Sequence, residues 1–558
     1  MNGEGLTFQQ RLVLTVLLCT GVVLMWPYIF PPPELPETAG ETEGGSGTGG
    51  TDGTGDAESG DGSADGASGG TDAEDGPEGV DDSPPGDPSH DVINHRLDNG
   101  EVALVLTNDA RGLLAHAEGL NEQFRSVEGE PIDFLMLGEE PSLTTSFGET
   151  ASYPLGGGRE VVAKDDASFE VRYRTEGDLQ IRERLELGQG FESRLVVTVK
   201  NVGDAPARHR FRLRQTLGEP EEANRYDLHR ALCRAGSVVR WDVGDVTDEV
   251  GKEDGPVQWA GVDTNFFLQA VVPEGFEGTR CEISTNDDQD VLYNAIVAEE
   301  RVLAPGESRE YELGLYLGAK FEDRLADYSV VADANLDEAI YWGFFGPVSA
   351  ALGRPMLALL RWFHQLTGIW GVSIIFLTLL VKGILFPLTI RQMRSMRKMR
   401  EIQPEIEEIR KKYGDDAQKQ QQELQALWAR AGANPMSGCF PIFLQFPVFI
   451  ALYASLQAAV ELYHQPFLWL PDLTAQDPYY ILPVALGGMM LVNSFLQPTP
   501  ADNEQAKMMK WMMPIMFASF MLFLPSGLAV YIFANTTIGV VQSLVMLRPR
   551  NTEAAAPS

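Results

Sequence analysis

A lone lysine interrupts a run of apolar residues that is long enough to cross a membrane. The run extends from Ile369 to Ile390, and Lys382 is its only charged residue. About 20 apolar residues cross the hydrocarbon core of a bilayer as a helix. A cation near the middle of that core costs roughly 2.5–3.5 kcal/mol on insertion scales, so it needs a partner or a wet cavity. Lys382 is therefore a candidate functional residue. The alternative is that its side chain snorkels to the headgroups, about 12 Å away along the helix.

Five further segments are apolar enough to be candidate membrane spans. They are Leu12–Phe30, about Gly438–Leu462, about Tyr479–Leu496, about Met508–Leu524 and about Gly527–Leu547. The first is interpreted as an uncleaved anchor rather than a signal peptide, because its apolar run is longer than the hydrophobic region of a usual signal peptide and lacks a convincing cleavage site.

The charges between these spans predict an orientation. The loop His464–Pro478 contains two aspartates and no Lys or Arg. Basic residues instead crowd the other connectors and the C-terminal tail: Arg391, Arg394, Arg397, Lys398, Arg400, Arg410, Lys411, Lys412, Lys507, Lys510, Arg548 and Arg550. By the positive-inside rule, both termini are expected in the cytoplasm and the large domain outside.

The formal charge of −37 hides a divided chain. From Glu34 to Asp87 the sequence is dominated by Gly, Ser, Thr, Pro, Asp and Glu, without Lys or Arg. Such a composition predicts an extended, solvated tether, although an acidic partner-binding segment is an alternative. The expected organisation is an anchor at 1–30, a disordered acidic linker at 31–90, a β domain at 91–345, an interfacial amphipathic helix at 346–365, a membrane core at 366–548 and a tail at 549–558.

The domain between the linker and the membrane core has the period of β-strands. Apolar and polar residues alternate in Phe169–Arg174, Leu179–Leu187 and His209–Arg214, and turn-rich segments such as Leu155–Arg159 and Val202–Pro206 separate such runs. This pattern predicts a sizeable antiparallel sandwich.

Cysteines and histidines in this domain indicate little chemistry. Cys233 and Cys281 could pair if the domain is periplasmic, but the sequence does not show that they are close. The isolated histidines His116, His209 and His229 could belong to a sugar-processing site, yet isolated histidines on strands are more often structural. No metal or other cofactor is expected.

Two helical segments flank the second span. Residues 348–363 cluster leucines and aromatics with Arg354 and Arg361, which suits a helix in the outer interface or a linker helix packed on the domain. After the span, apolar steps from Met393 to Tyr413 predict one helix, and Ala417–Ala431 predicts a second. The two would form a cytoplasmic hairpin at 391–433. Its basic half could touch headgroups, ribosomal RNA or an emerging chain, or the hairpin could be purely topological.

The membrane half resembles the YidC/Oxa/Alb family of membrane protein insertases. The resemblance covers about Gly343 to Leu547 and is carried by ordered motifs: Trp370-Gly371, Thr378–Thr389, Asn434–Pro441, Gln445–Pro447, Phe467–Trp469, Asp472-Leu473, Asp477–Pro483 and Pro525–Leu528 followed by Tyr531. The domain before it matches more loosely, at Trp259, Asn265–Phe267, Leu303–Gly306 and Tyr316–Gly318. The layout is similar to the Gram-negative form.

This resemblance implies a fold and a set of site residues. The fold is a multi-domain membrane protein with an N-terminal transmembrane anchor, a periplasmic all-β supersandwich and a C-terminal five-helix transmembrane bundle. The bundle would surround a hydrophilic groove that is open to the cytoplasm and to lipid but closed toward the outside. The residues expected to line that groove are Lys382, Thr378, Gln445, Tyr531, Asn535 and Gln542. The sequence departs from the family at Ile532, where other members carry an aromatic residue.

The implied function is insertion and folding of nascent inner-membrane proteins, alone or with the Sec translocon, without nucleotide hydrolysis. The polar tail of a substrate would enter the groove, and its apolar part would slide past a methionine-rich fifth span, where lipid-facing filler is the alternative reading. Those methionines are Met508, Met509, Met512, Met513, Met516 and Met521. Membrane lipids, and the ribosome through the basic hairpin and tail, are further expected partners; DNA is not. A solute transporter or a tethered carbohydrate-binding or carbohydrate-processing protein remains the alternative.

Overall fold

A computed structural model describes residues 92–546 of the chain, except 127–128, 138–139, 149–158, 176, 219–227, 247–250, 277, 287–290, 332, 344–345, 415, 433–439 and 497–503. The predicted anchor, acidic linker and C-terminal tail lie outside the described residues, as does the predicted turn before Arg159.

The N-terminal part of the described chain consists of antiparallel strands. Their bounds are β1 Asn94–Asp98, β2 Val102–Thr107, β3 Leu114–Gly119, β4 Thr144–Ser146, β5 Glu160–Lys164, β6 Ser168–Arg174, β7 Leu179–Leu187, β8 Glu192–Asn201, β9 Ala207–His209, β10 Arg212–Leu217, β11 Arg230–Ala235, β12 Ser237–Asp242, β13 Gly251–Val257, β14 Trp259–Asp263, β15 Phe267–Glu274, β16 Gly278–Thr285, β17 Leu292–Ala298, β18 Arg301–Leu303 and β19 Ser308–Ala319.

Two large sheets form the predicted sandwich. A nine-stranded sheet has the order β12-β11-β14-β15-β19-β8-β7-β6-β5, and a five-stranded sheet has the order β13-β16-β17-β10-β4. Smaller sheets, β1-β2-β3 and β18-β9, complete the domain. Alternation explains the inner faces: in β7, Leu179, Ile181 and Leu185 are buried while Arg182 and Arg184 are exposed.

A disulfide joins the two large sheets. Cys233 on β11 is bonded to Cys281 on β16, with 6.2 Å between their Cα atoms, and both residues are fully buried. The sequence left this pairing open, because residues 48 positions apart meet only when the sheets stack.

One predicted strand is wrong. The alternating segment His209–Arg214 is divided, with β9 ending at His209 and β10 beginning at Arg212. Between them the amide of Arg210 donates to the carbonyl of Phe147 over 3.0 Å. The division occurs because β9 pairs with β18 while β10 pairs with β17 and β4, so the chain passes here from one sheet to another.

The rest of the described chain is mainly helical. The helices are α1 Glu322–Ala326, α2 Gly346–Thr367, α3 Trp370–Glu401, α4 Gln403–Lys412, α5 Ala417–Ala431, α6 Phe440–Ala458, α7 Ile481–Leu496, α8 Glu504–Met521 and α9 Ser526–Met546. Helix α9 packs against α3, α6 and α7, while α8 packs against α7 and α2 packs against α3 and α6. By length and hydropathy, Trp370–Met399 and Ser526–Val545 are able to cross a membrane, and Ile481–Leu496 is a shorter apolar helix.

The first helix of the predicted hairpin, expected to be continuous from Met393 to Tyr413, is divided in the structure. Helix α3 continues through Pro387 to Glu401, and a break at Ile402 precedes α4. Pro404 lies in the first turn of α4, where its missing amide leaves no hydrogen bond unmade, so a new helix starts there readily. Beyond it, α4 and α5 pack through Ile402, Ile406, Leu424 and Leu427, and Asp416 caps α5 by accepting from the amide of Lys419.

The sandwich contacts the helices through specific polar bonds. Gln123 donates to the carbonyl of Val460 over 2.6 Å, and the His464 ring lies 2.9 Å from the carbonyl of Arg125. On α2, Arg361 pairs both with Asp323 of α1 at 3.3 Å and with Glu461 after α6 at 2.6 Å. These contacts hold the end of α6 against the sandwich.

Candidate functional site

Lys382 lies on α3 where that helix packs against α9. Its side chain is half-buried, and a Cβ built on Gly539 of α9 would lie 4.0 Å from its ammonium nitrogen. Glycine at position 539 therefore leaves room for the lysine head beside the α9 backbone. Among the described residues, Lys382 makes no hydrogen bond or ion pair.

Thr378 lies one helical turn before Lys382 but is fully buried. Its hydroxyl donates to the carbonyl of Ile374 over 2.7 Å. Such a bond back to the preceding turn satisfies a polar side chain within its own helix. Thr378 is thus near the lysine without offering an unpaired donor.

Gln445 and Tyr531 join α6 to α9. The side-chain amide of Gln445 donates to the Tyr531 hydroxyl over 2.5 Å, and Tyr531 is 1% exposed. The sequence named both residues but did not reveal that they bond. Pairing them satisfies two polar groups inside an otherwise apolar bundle.

The remaining polar residues continue along α9. Tyr531, Asn535 and Gln542, which we call the polar face of α9, are spaced so that they lie on the same side as Gly539. The face extends over about 16 Å of helix. The carbonyl oxygen of Gln542 and the hydroxyl of Thr537 are buried with no hydrogen-bond partner among the described residues.

Thr537 is a residue that sequence reasoning missed. It is a polar residue inside an apolar helix, as Thr378 is, and that signal could have singled it out. By helical spacing Thr537 lies about 160° around α9 from Gly539, so it faces away from Lys382. At the α3–α9 contact, the Lys382 ammonium and the side-chain oxygen of Gln542 have no hydrogen-bond partner among the described residues. Buried polar groups in proteins are normally bonded, to protein or to water, so this region suits water or a polar ligand.

The predicted methionines lie on α8, away from the bundle core in most cases. Met508, Met512, Met513 and Met516 are 41%, 37%, 44% and 45% exposed. We call these four the methionine surface. Met521, expected with them, is 1% exposed and packs in the core, so its predicted surface role is wrong. The side chain of Met509 lies outside the described part.

The loop between α6 and α7 (residues 463–480) is fastened to the start of α9. The amides of Ser526 and Gly527 donate to the carbonyls of Ala475 and Leu473 over 2.7 and 2.8 Å. On α3, a Cβ at Gly371 would overlap the ring of Phe467 at 2.1 Å, so glycine permits the loop to pack closely there.

Asp477 orders the end of this loop. It is 4% exposed and accepts from the amide of Leu482 over 2.7 Å and from the Trp469 indole over 3.2 Å. The carboxylate thereby satisfies a free amide in the first turn of α7. The loop is consequently a bonded cover across the ends of α3, α7 and α9.

Two family models match the chain in succession. The model of the YidC periplasmic domain matches residues 137–359, and that of the 60Kd inner membrane protein matches residues 362–553. A crystal structure described as an active YidC insertase with its first transmembrane domain resolved covers 80% of this chain and 93% of its own. It has 19% sequence identity and a TM-score of 0.38.

Curated relatives match over both halves. The membrane protein insertase YidC of Anaeromyxobacter dehalogenans is 41% identical over 333 residues, which is 60% of this chain and 59% of the length of that relative. The membrane protein insertase YidC of Marinobacter nauticus is 31% identical over 469 residues, which is 82% of this chain and 78% of the relative. Because a match of this length includes both the β-sandwich and the helical region, the chain belongs to the family of the membrane protein insertase YidC.

Proposed function

We propose that this chain inserts nascent proteins into the bacterial inner membrane and assists their folding. The observation that carries the proposal is the half-buried ammonium of Lys382, without a pairing carboxylate among the described residues, on a helix apolar enough to cross a bilayer. A lysine in that setting needs water or a polar partner. The polar face of α9, with the unpaired side-chain oxygen of Gln542, supplies the surroundings of a hydrated groove.

The proposed topology has an N-terminal anchor and five spans formed by α3, α6, α7, α8 and α9. Both termini and the α4–α5 hairpin lie in the cytoplasm, as the basic connectors favour. The β-sandwich lies in the periplasm. The disulfide Cys233–Cys281 supports this placement, because disulfides persist in oxidising compartments and are rare in the cytosol.

Within this topology the groove opens to the cytoplasm and is closed at the periplasmic end. The closure is the α6–α7 loop with its bonds to α9 and its close packing at Gly371. The groove residues are Lys382, Thr378, Gln445, Tyr531, Asn535 and Gln542. Thr378 contributes shape rather than a free hydroxyl, since its donor is already used.

Insertion then follows from solvation without any catalysed reaction. Polar groups that enter a bilayer core unsatisfied cost several kcal/mol each, in the range of about 2–7. A wet groove lowers that cost for the tail of a substrate, and the Lys382 ammonium attracts a tail that is acidic. The apolar segment meanwhile leaves between α6 and α8, along the exposed methionine surface and Met509, whose flexible thioether side chains can pack against many sequences.

Nascent membrane proteins and membrane lipids are the proposed partners. We also propose contacts with the Sec translocon, and with the ribosome through the basic α4–α5 hairpin and the tail. The family assignment does not favour a solute transporter or a carbohydrate-processing protein.

Photo-crosslinking to a ribosome-stalled membrane protein tests the proposal. A crosslinker replaces Gln445 in the groove or Met512 on the methionine surface, and Ile384, which is 69% exposed on α3, serves as the matched control. Adducts with the nascent chain are expected from Gln445 and Met512 and not from Ile384. Equal adducts from all three positions, or none from Gln445, would show that substrate does not pass this groove.

A further inference from the structure

An apolar groove separates α7 from α8. Its volume is about 320 Å³, and its lining residues, which include Val484, Gly488, Leu491, Ile515 and Ala518, are all uncharged. Val484 is 73% exposed and Ile515 is 58% exposed, so the groove is open along its side. A Cβ at Gly488 would meet no atom within 4 Å, so this glycine keeps the groove free.

One end of the groove is lined by aromatic rings and a lysine instead of aliphatic side chains. Phe495 lies one turn beyond Leu491 on α7, and its ring meets that of Trp511 edge to face at 5.5 Å. The ammonium of Lys510 lies 5.9 Å from the centroid of the Phe495 ring. Within the described ranges, no carboxylate pairs with Lys510. The apolar groove thus leads first to a tryptophan and then to a cation. This order matches that of a lipid, whose acyl chain is followed by the interfacial region and then by the headgroup.

The dimensions favour one lipid chain over a helix. From Pro483 to Leu491 the groove follows roughly 12 Å of α7. Its volume divided by that length gives a cross-section of roughly 25 Å², which corresponds to a width of about 6 Å. An α-helix with its side chains is about 10 Å across and would not fit. The distance from Pro483 to Phe495 is about 18 Å, close to the roughly 15 Å of one hydrocarbon leaflet.

We propose that the α7–α8 groove binds an acyl chain of an anionic phospholipid whose phosphate lies beside Lys510. The inference rests on the proposed orientation, in which the Lys510 end of α8 meets the cytoplasmic leaflet. That leaflet carries anionic lipid, and a basic residue near its surface gains from the negative potential. The uncharged groove selects no headgroup, so the preference for an anion comes from Lys510.

Photoactivatable lipids test this site in the full chain. The protein is reconstituted into phosphatidylcholine vesicles containing a minority of phosphatidylglycerol, with a diazirine on the acyl chain of either lipid. Adducts of phosphatidylglycerol are expected on peptides of α7 and α8 that contain Val484–Leu491 and Ile515–Leu522. Gly488→Leu fills the groove and should remove most of these adducts. Gly383→Leu is the matched control, because a Cβ at Gly383 also meets nothing within 4 Å.

Lys510→Gln distinguishes the contribution of the lipid headgroup to binding from that of the acyl chain. It should lower the phosphatidylglycerol adducts about fivefold and leave those of phosphatidylcholine unchanged. Equal labelling by the two lipids in the wild type, or full labelling in Gly488→Leu, would overturn the proposal. So would protein–protein crosslinks at these peptides, which would assign the groove to a second copy or another helix. This experiment does not measure insertion. A negative result would therefore contradict the lipid site alone, and the nascent-chain crosslinks test the insertion function separately.

Discussion

At the scale of single residues, the proposed attraction of acidic substrate tails depends on the charge of Lys382. In Lys382→Ala the ammonium is lost, and insertion of substrates with acidic translocated tails should slow about tenfold, which corresponds to roughly 1.4 kcal/mol. Lys382→Arg keeps the charge and should insert at the normal rate. The measurement is the initial rate of protease protection of the tail in vesicles.

A substrate with a neutral tail provides the control for this prediction. Its insertion should change little in Lys382→Ala, because no charge pair is removed. Normal insertion of acidic tails by Lys382→Ala would show that the electrostatic part of the mechanism is wrong.

His229 should make the sandwich sensitive to acid. Burial lowers the pKa of His229 from 6.5 to about 4, and its Nε2 has no hydrogen-bond partner in the described chain. Between those pH values the unfolded state binds the proton and the folded state does not. Stability is therefore complete above pH 6.5 and falls as the pH falls toward 4, by about 2 kcal/mol at pH 5.

The substitution His229→Gln removes this proton and tests the assignment. The melting temperature of the full chain is measured at pH 7 and pH 5 for the wild type and the variant. We expect the acid-induced decrease to be smaller in the variant. An identical decrease in both proteins would mean that another group accounts for the acid sensitivity.

Residue-level prediction from sequence was strongest where a polar group is out of place. Lys382 stands out because charge is costly in an apolar span, and the same reasoning applies to Gln445 and Gln542. Partners could not be predicted in this way. The bond from Gln445 to Tyr531 and the fit of Lys382 beside Gly539 depend on how helices pack, which no local pattern encodes.

At the scale of secondary-structure elements, the disulfide links the two sheets of the sandwich. Cys233→Ser should destabilise the domain by about 2–5 kcal/mol, the usual cost of losing a native disulfide. The loss is measured as a shift in the denaturant midpoint of the full chain. Treatment of the wild type with a reductant should reproduce the shift, while the double variant Cys233→Ser/Cys281→Ser should not respond to reductant.

The packing of the α6–α7 loop predicts a second element-level effect. Gly371→Ala places a methyl group 2.1 Å from the Phe467 ring, so the loop must move, at a cost of about 1–3 kcal/mol. Hydrogen exchange at the amides of Ser526 and Gly527 should become faster, because both bond to this loop. Gly383→Ala is the control, since its methyl group meets open space. Unchanged exchange in Gly371→Ala would show that the loop is not held there.

Sequence periodicity predicts whether a segment is a helix or a strand more readily than it predicts where that element begins and ends. The alternating runs of β7 and the three-to-four spacing of the hairpin predicted a strand and helices in the right places. The division at Arg210 and the break before Pro404 were not predicted. The first depends on sheet order, and the second requires weighing one proline against a sustained apolar pattern.

At the scale of the whole molecule, a β-sandwich is bonded to a helical region. The predicted sandwich is confirmed by its two stacked sheets and by the match to the periplasmic-domain model. The sequence could not predict the junction, in which Arg361 reaches both Asp323 and Glu461, because these residues are far apart in the chain. The number of spans and the side on which each terminus lies stay predictions.

The central claim is that water reaches Lys382 from the cytoplasm but not from the periplasm. Gly539→Cys tests it with the lysine intact, since a Cβ there lies 4.0 Å from the Lys382 nitrogen. Cys19 and Cys439 are replaced by serine, and a membrane-impermeant thiol reagent is added from either side. Gln425→Cys on α5 is the exposed control, and Leu528→Cys, which is fully buried, is the protected one.

The account predicts that Gly539→Cys reacts when the reagent is on the cytoplasmic side, in inverted vesicles, and stays unreacted in intact spheroplasts. Reaction from neither side would place the lysine in a dry core, and reaction from the periplasm would contradict the closed outer end.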